Sequence, residues 1–416
     1  MRAVIHAESC CQPALLIGVL MCTGMCAQTL CAQCQYEVTI IMAPEGPFGY
    51  PPAAGRGLSE AGHVVGHYYD LFKDDQPFVW STEEGFQTLP VLPGYSGGRA
   101  MDVNSSGDVV GWTELDESPL PQAVLWRDGE PIELGIPPGG NWSEAYGIND
   151  AGQIAGVWGD NIHGDPAKAA FLWQDGELVD LNPVLGAANS CAYDIDNKGR
   201  IAGWFGKEPY IQSLAFIYNE GHVTELPPIP QGYSSDARGL SEHSYVCGQG
   251  YLKDPDPPGW TRRAFLWRVG SMLDLGTLPG NTQSLAYAVN DLGQVVGYCS
   301  EGLPNRGFFW QDGEMHEANT LIPPDSDVDI SGLNAINSAG QIVGRASIPP
   351  QWGATVLLTP VRVPGDVDIN CEVDVLDLLY ILRQWGPCDG CPADLNLDGI
   401  VDAVDLLLVL EHWGSK

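Results

Sequence analysis

The chain has 416 residues, 44% of them apolar, and a net charge of -34. With only 19 Lys and Arg against 53 Asp and Glu, it has no basic surface to neutralise phosphates, which makes nucleic acid and anionic lipid poor partners and cations good ones. The 51 glycines, 32 prolines and charged fraction of 17% point to an all-β chain rich in turns, long enough for two or three domains.

Arg2 precedes an apolar run, Ala14 to Cys22, that is too short to span a bilayer, and small residues follow, with Ala27 or Ala32 as the last before cleavage. Residues 1–27 therefore read as a signal peptide and 28–37 as a short N-terminal segment. The mature protein is expected to be secreted, extracellular or at the cell surface, without a membrane span. Cys10, Cys11, Cys22 and Cys26 leave with the signal, and the other eight cysteines enter a compartment where disulfides form.

A repeat fills the middle of the chain. Short strands run into Gly66, Gly111, Gly156, Gly203, Gly248, Gly297 and Gly344, at successive spacings of 45, 45, 47, 45, 49 and 47 residues. Each has a partner strand like Ala170-Phe171-Leu172-Trp173, and a tight hairpin such as Gln174-Asp175-Gly176-Glu177 leads to a further strand. The preceding turn, as in Asn149-Asp150-Ala151-Gly152, puts glycine where positive φ is needed. Four strands in about 45 residues make one propeller blade, which cannot bury both faces alone. The seventh unit stops one strand short, while Tyr36 to Ile41 stands before the first unit with no partner. Pairing the two closes a ring and removes an exposed edge. A seven-bladed β-propeller is predicted over residues 38–363, in preference to an open solenoid. Ala264-Phe265-Leu266-Trp267 and Asp274-Leu275-Gly276-Thr277-Leu278-Pro279-Gly280, followed by the Gly293 to Gly297 strand, resemble the extracellular HAF repeat. That resemblance implies a secreted β-repeat protein and no particular chemistry.

Residues 364–416 hold two copies of a different pattern, 28 residues apart. Asp366, Asp368, Asn370, Asp374 and Asp377, and then Asp394, Asn396, Asp398, Asp402 and Asp405, occupy positions 1, 3, 5, 9 and 12 of a twelve-residue calcium loop that runs into a helix. Glu372 and Ile400 offer carbonyls at position 7. Gly399 provides the bend at position 6 where the first copy has Cys371, so the second site is expected to bind more tightly. The duplicated loop and helix resemble a type I dockerin, a small α-helical domain. This implies two Ca²⁺ ions and docking onto a cohesin-like or cell-surface protein, often within polysaccharide-degrading assemblies. Where many dockerins carry Ser-Thr, this chain has Val375-Leu376 and Ala403-Val404. A disulfide is expected between two of Cys371, Cys388 and Cys391; Cys31 and Cys34 are candidates for a second, and Cys191, Cys247 and Cys299 are expected to be buried thiols.

No catalytic motif survives inspection. Gly94-Tyr95-Ser96-Gly97-Gly98 fits a nucleophile elbow but falls in an interblade loop. Asp70, Glu114, Asp116 and Asp194 are candidate carboxylates for glycoside chemistry, but that chemistry depends on a separation the sequence does not give, and no catalytic residue is assigned. The face carrying the long loops is a candidate glycan-binding face, with Tyr68, Trp112, Trp158, Trp204, Tyr251, Trp260, Tyr298 and Trp352 as stacking rings and Asp70, Asp116, Asp160 and Glu208 as hydroxyl partners; wedging between blades is the competing role for the rings. Three functions compete: a non-catalytic binding propeller tethered through the calcium module, a glycoside hydrolase or polysaccharide lyase, and a purely structural surface or matrix protein.

Overall fold

The computed structural model describes residues 36–415 apart from 46–50, 70–73, 116–117, 161–166, 207–211, 256–257, 301–303, 350, 362, 369–372, 389–390 and 397. The proposed signal peptide, Cys31 and Cys34 lie outside the described residues. No described helix is long and apolar enough to cross a membrane.

Seven four-stranded antiparallel sheets follow one another as up-and-down meanders, from Ala53–Leu58, Val64–Tyr69, Asp75–Ser81 and Gly85–Thr88 in blade one to Gln283–Val289, Val295–Ser300, Arg306–Gln311 and Glu314–Glu317 in blade six. Blade seven takes three strands from the end of the array, Asp329–Ile336, Ile342–Ile348 and Gln351–Pro360, and its outer strand from the start, Tyr36–Ile41. The two termini pair antiparallel, with Val38 opposite Leu358 and Ile41 opposite Thr355, and Tyr36 and Ile41 are buried. The fold is a seven-bladed β-propeller.

Each apolar cluster of the propeller takes residues from two successive blades: Val110, Ala123 and Leu125 of blade two pack with Ala145, Ile154 and Phe171 of blade three. The phenylalanine of the repeated Ala-Phe-Leu-Trp strand is fully buried in every blade that has one, as at Phe171, Phe265 and Phe308. A single unit thus has no core of its own, which is why the pattern must recur.

Polar repeat residues stitch the same interfaces. The asparagine of the turn before the second strand reaches the next blade: Asn149 Nδ2 donates to Asp196 O at 2.9 Å, Asn290 to Asn337 O at 3.0 Å and, across the closure, Asn337 to Ser59 O at 3.2 Å. The inner-strand serine accepts from the previous blade, Ser190 Oγ from Ala170 N at 2.8 Å and Ser284 Oγ from Ala264 N at 2.9 Å.

The glycine ending each second strand answers a different need. Every inner strand carries a β-bulge opposite it, for example between Ala192 and Asp194, which presses a carbonyl inward. A Cβ on Gly203 would stand 2.0 Å from Cys191 O, and one on Gly111 would stand 1.9 Å from Arg99 O. Glycine is the residue that lets the bulge form.

The C-terminal module contains two nine-residue helices, Val375–Arg383 and Ala403–Glu411, and a short antiparallel pair, Gly386–Pro387 with Ile400–Val401. Asp374 and Asp402 cap them, with Asp377 and Asp405 completing reciprocal capping boxes. Val367, Val373, Ile381, Ala393, Val401 and Val409 form its core. Gly414 N donates to Val373 O at 2.9 Å and Val373 N to Ser415 O at 3.1 Å, tying the end of the chain to the first loop. The module belongs to the same compact unit as the propeller. Asp368 O lies 3.4 Å from Gln311 Nε2 and 3.5 Å from Gln294 Nε2 in blade six.

Candidate functional site: the central channel and the acidic loops

The seven bulges place one residue per blade at the waist of the central channel: Arg56, Met101, Tyr146, Tyr193, Arg238, Tyr287 and Asn334. They floor a cavity of about 250 Å³ whose wall rises to the turns that open each second strand. At the mouth, Glu60, Asp150, Glu242 and Asp291 link neighbouring turns; Asp150 Oδ1 accepts from Ser105 N at 2.8 Å, and Glu60 Oε1 from Ser338 N at 3.0 Å.

Two carboxylates in the wall stitch blades together. Asp102 Oδ2 accepts from Ile148 N at 2.9 Å and Asp194 Oδ2 from Leu240 N at 2.7 Å. Burial, more than these bonds offset, pushes Asp102 up to about 6 and Asp194 up to about 7, the latter helped by the charge of Asp102. On the other side of the waist, Arg99 pairs with Asp75 at 2.8 Å. Burial and the charges of Arg56, Arg99 and Arg345 push His67 down to about 3, so the imidazole is neutral.

The candidate stacking rings differ in exposure and in what they touch. Trp112 is 7% exposed, wedged edge-on to Tyr146 of the next blade with Arg99 over its other side. Trp158 lies against Gly140, whose added Cβ would meet the indole at 2.6 Å. Tyr68 packs on Phe86, Trp204 Nε1 reaches Tyr193 OH at 3.4 Å, and Tyr298 packs on Tyr287. Tyr251 bonds Gln249 and Asp236. Trp260, 52% exposed, pairs with the exposed Tyr233. The side chain of Trp352 lies outside the described residues, as do Asp70, Asp116 and Glu208; Asp160 ends a second strand. Glu114 sits in the second strand of blade two, opposite Gly97, and Asp194 faces the channel. The Gly94 to Gly98 stretch runs directly into the inner strand Gly97–Val103, without the helix a nucleophile elbow requires.

Reading the sequence missed the waist residues. Their signal is a position three before the turn asparagine, as Tyr146 stands before Asn149 and Tyr287 before Asn290, where the chemistry varies from blade to blade.

In the module the last carboxylates of the two acidic loop patterns make matching hydrogen bonds. Asp377 Oδ1 accepts from Val367 N at 2.7 Å and Asp368 N at 3.2 Å, and Oδ2 from Asp374 N at 2.8 Å. Asp405 repeats this with Leu395 N at 2.8 Å, Asn396 N at 3.3 Å and Asp402 N at 2.8 Å. Carboxylate oxygens of Asp366, Asp368 and Asp377 lie within 4.8 Å of one another, with Asp366 and Asp377 buried. Three crowded carboxylates of this kind fit a hard, oxygen-seeking divalent cation. Asn370, Cys371 and Glu372 lie outside the described residues. In the second loop, Asp394 accepts from Asp398 N at 3.1 Å and Gly399 N at 2.8 Å, Ile400 N donates to Asp398, and Gly399 adopts φ +85° at the bend. Cys388 and Cys391 form the disulfide; Cys191, Cys247 and Cys299 are buried free thiols.

No family model matches the sequence, and no curated protein matches it. Among solved structures, the β-propeller domain of the Trilobed protease from Pyrococcus furiosus is similar over 75% of this chain and 96% of its own, at 11% identity and a TM-score of 0.47. Virginiamycin B lyase from Staphylococcus aureus covers 79% of this chain and 100% of its own, at 13% identity and 0.44. An oligogalacturonate lyase in complex with manganese covers 80% and 99%, at 10% identity and 0.49. The likeness is one of fold.

Proposed function

We propose that this chain is a secreted, non-catalytic binding propeller, held in place by a calcium-ordered, dockerin-like module that docks onto a cohesin-type or cell-surface protein. One observation carries the reading. Leu376, Leu379, Leu382 and Trp385 recur 28 residues later as Val404, Leu407, Leu410 and Trp413, and all eight are between 44% and 62% exposed. Apolar side chains left in water in two matching rows, beside two acidic loops, suit a protein partner. Pull-down from native secreted material with and without EDTA tests the reading. A partner retained only with calcium, and lost on Leu379→Glu plus Leu407→Glu, supports it; retention that ignores both contradicts it.

A second reading, a polysaccharide-acting enzyme, draws on Asp102 and Asp194, two carboxylates raised toward neutrality beside one cavity. Release of reducing ends from a polysaccharide panel, abolished by Asp194→Asn, would favour it over the binding role.

A further inference from the structure

The charge of this protein is distributed unevenly in a way that its total of -34 conceals. Arg127 pairs with Asp108, Arg200 with Asp196, Arg306 with Glu317 and Arg99 with Asp75. Arg56, Arg238 and Arg345 have no ion pair or side-chain hydrogen bond among the described residues, although acids outnumber bases nearly three to one. The Nε of Arg56 and that of Arg238 are buried without a partner. Arg238 stacks over Tyr193 at 4.1 Å, and Arg56 and Arg238 both line the 250 Å³ cavity, with Tyr287 and Asn334 between them around the ring. The nearby carboxylates are engaged elsewhere, Asp75 by Arg99 and Asp236 by Gln249 and Ser213.

A buried guanidinium without a counter-ion costs stability, and an anion bound beside it removes that cost. The opposite end of the cavity has the complementary chemistry, a rim of carboxylates that accept hydrogen bonds from hydroxyls and repel a second negative charge. Between them the tyrosines offer flat faces. A volume of about 250 Å³ falls at the small end of ligand sites.

We propose that the channel cavity binds a small sugar acid, its carboxylate held at the waist by Arg56 and Arg238 and its hydroxyls directed to the acidic rim. This deepens the reading of the propeller as a binding body by naming its ligand class. It does not involve the calcium module, so its failure leaves the pull-down result intact.

The test is calorimetric titration of the full chain with glucuronate, glucose, acetate and sulfate. Glucuronate is expected to bind at one equivalent, more weakly as salt rises, with glucose silent and acetate and sulfate at least tenfold weaker. Arg238→Gln is expected to weaken glucuronate at least tenfold. Arg345→Gln, at an exposed site outside the cavity lining whose charge is felt at Arg56, is expected to weaken it severalfold at most. Arg345 has no ion pair or side-chain hydrogen bond among the described residues, so Arg345→Gln is expected to melt with the parent, whereas Arg238→Gln also gives up the stacking on Tyr193 and is read by affinity alone. Absence of glucuronate binding, affinity unchanged in both variants, or sulfate binding as well as glucuronate would each overturn the proposal.

Discussion

At the residue scale, the repeat is a set of hydrogen bonds directed at the neighbouring blade. Asn149 donates to Gln153 Oε1 at 2.7 Å as well as to Asp196 O, and accepts from Ala151 N and Gln153 N. Asn149→Ala leaves those buried groups unpaired and is expected to cost about 2–3 kcal/mol in urea unfolding, whereas Asp150→Ala, at the exposed neighbour, should cost under about 1 kcal/mol. Asp194 makes a pH-dependent contribution. Its folded pKa, about 7, lies above its ordinary value of 3.8. The folded state therefore binds more protons than the unfolded one in that window, and stability falls as pH rises through it. Asp194→Asn removes this slope: its melting temperature relative to the parent should be higher at about pH 8 than at about pH 5, and an equal offset at both would contradict the assignment.

At the scale of the strand and the blade, much was legible in the sequence. The seven-fold spacing, the hairpin turns and the orphan strand at Tyr36 are local patterns, and local patterns survive translation into structure. The bulge was not legible, because it is a property of pairing between strands: Val-Val-Gly reads as a strand ending in a turn until a carbonyl is seen pressing on the glycine. Gly203→Ala should therefore cost more than about 3 kcal/mol, while Gly206→Ala, whose Cβ would meet nothing nearer than 3.9 Å, should cost under about 0.5 kcal/mol. Removing Tyr36–Ile41 by starting the chain at Pro44 exposes the edge of Gln351–Pro360. Light scattering should show self-association and calorimetry a lower melting temperature; a monomer with unchanged melting would contradict closure by this strand.

At the scale of the whole molecule, two bodies that read as separate in the sequence share one surface. The five residues from Val361 to Gly365 are too few to act as a spacer. Asp368 O of the module meets Gln294 and Gln311 of blade six, and burial together with the charges of Asp291 on the channel rim and of Asp368 pushes Tyr380 of the first helix up to about 12. Such docking is invisible to periodicity, since it depends on which faces of two finished folds meet. The apolar rows remain outward, so the module is both seated and available. If calcium orders the two loops beneath those rows, then stripping it should loosen the helices. Titration of calcium into the chelator-stripped intact chain is the direct measurement: two ions are predicted, with Asp377→Ala and Asp405→Ala each removing one, and a stoichiometry of zero would contradict the account.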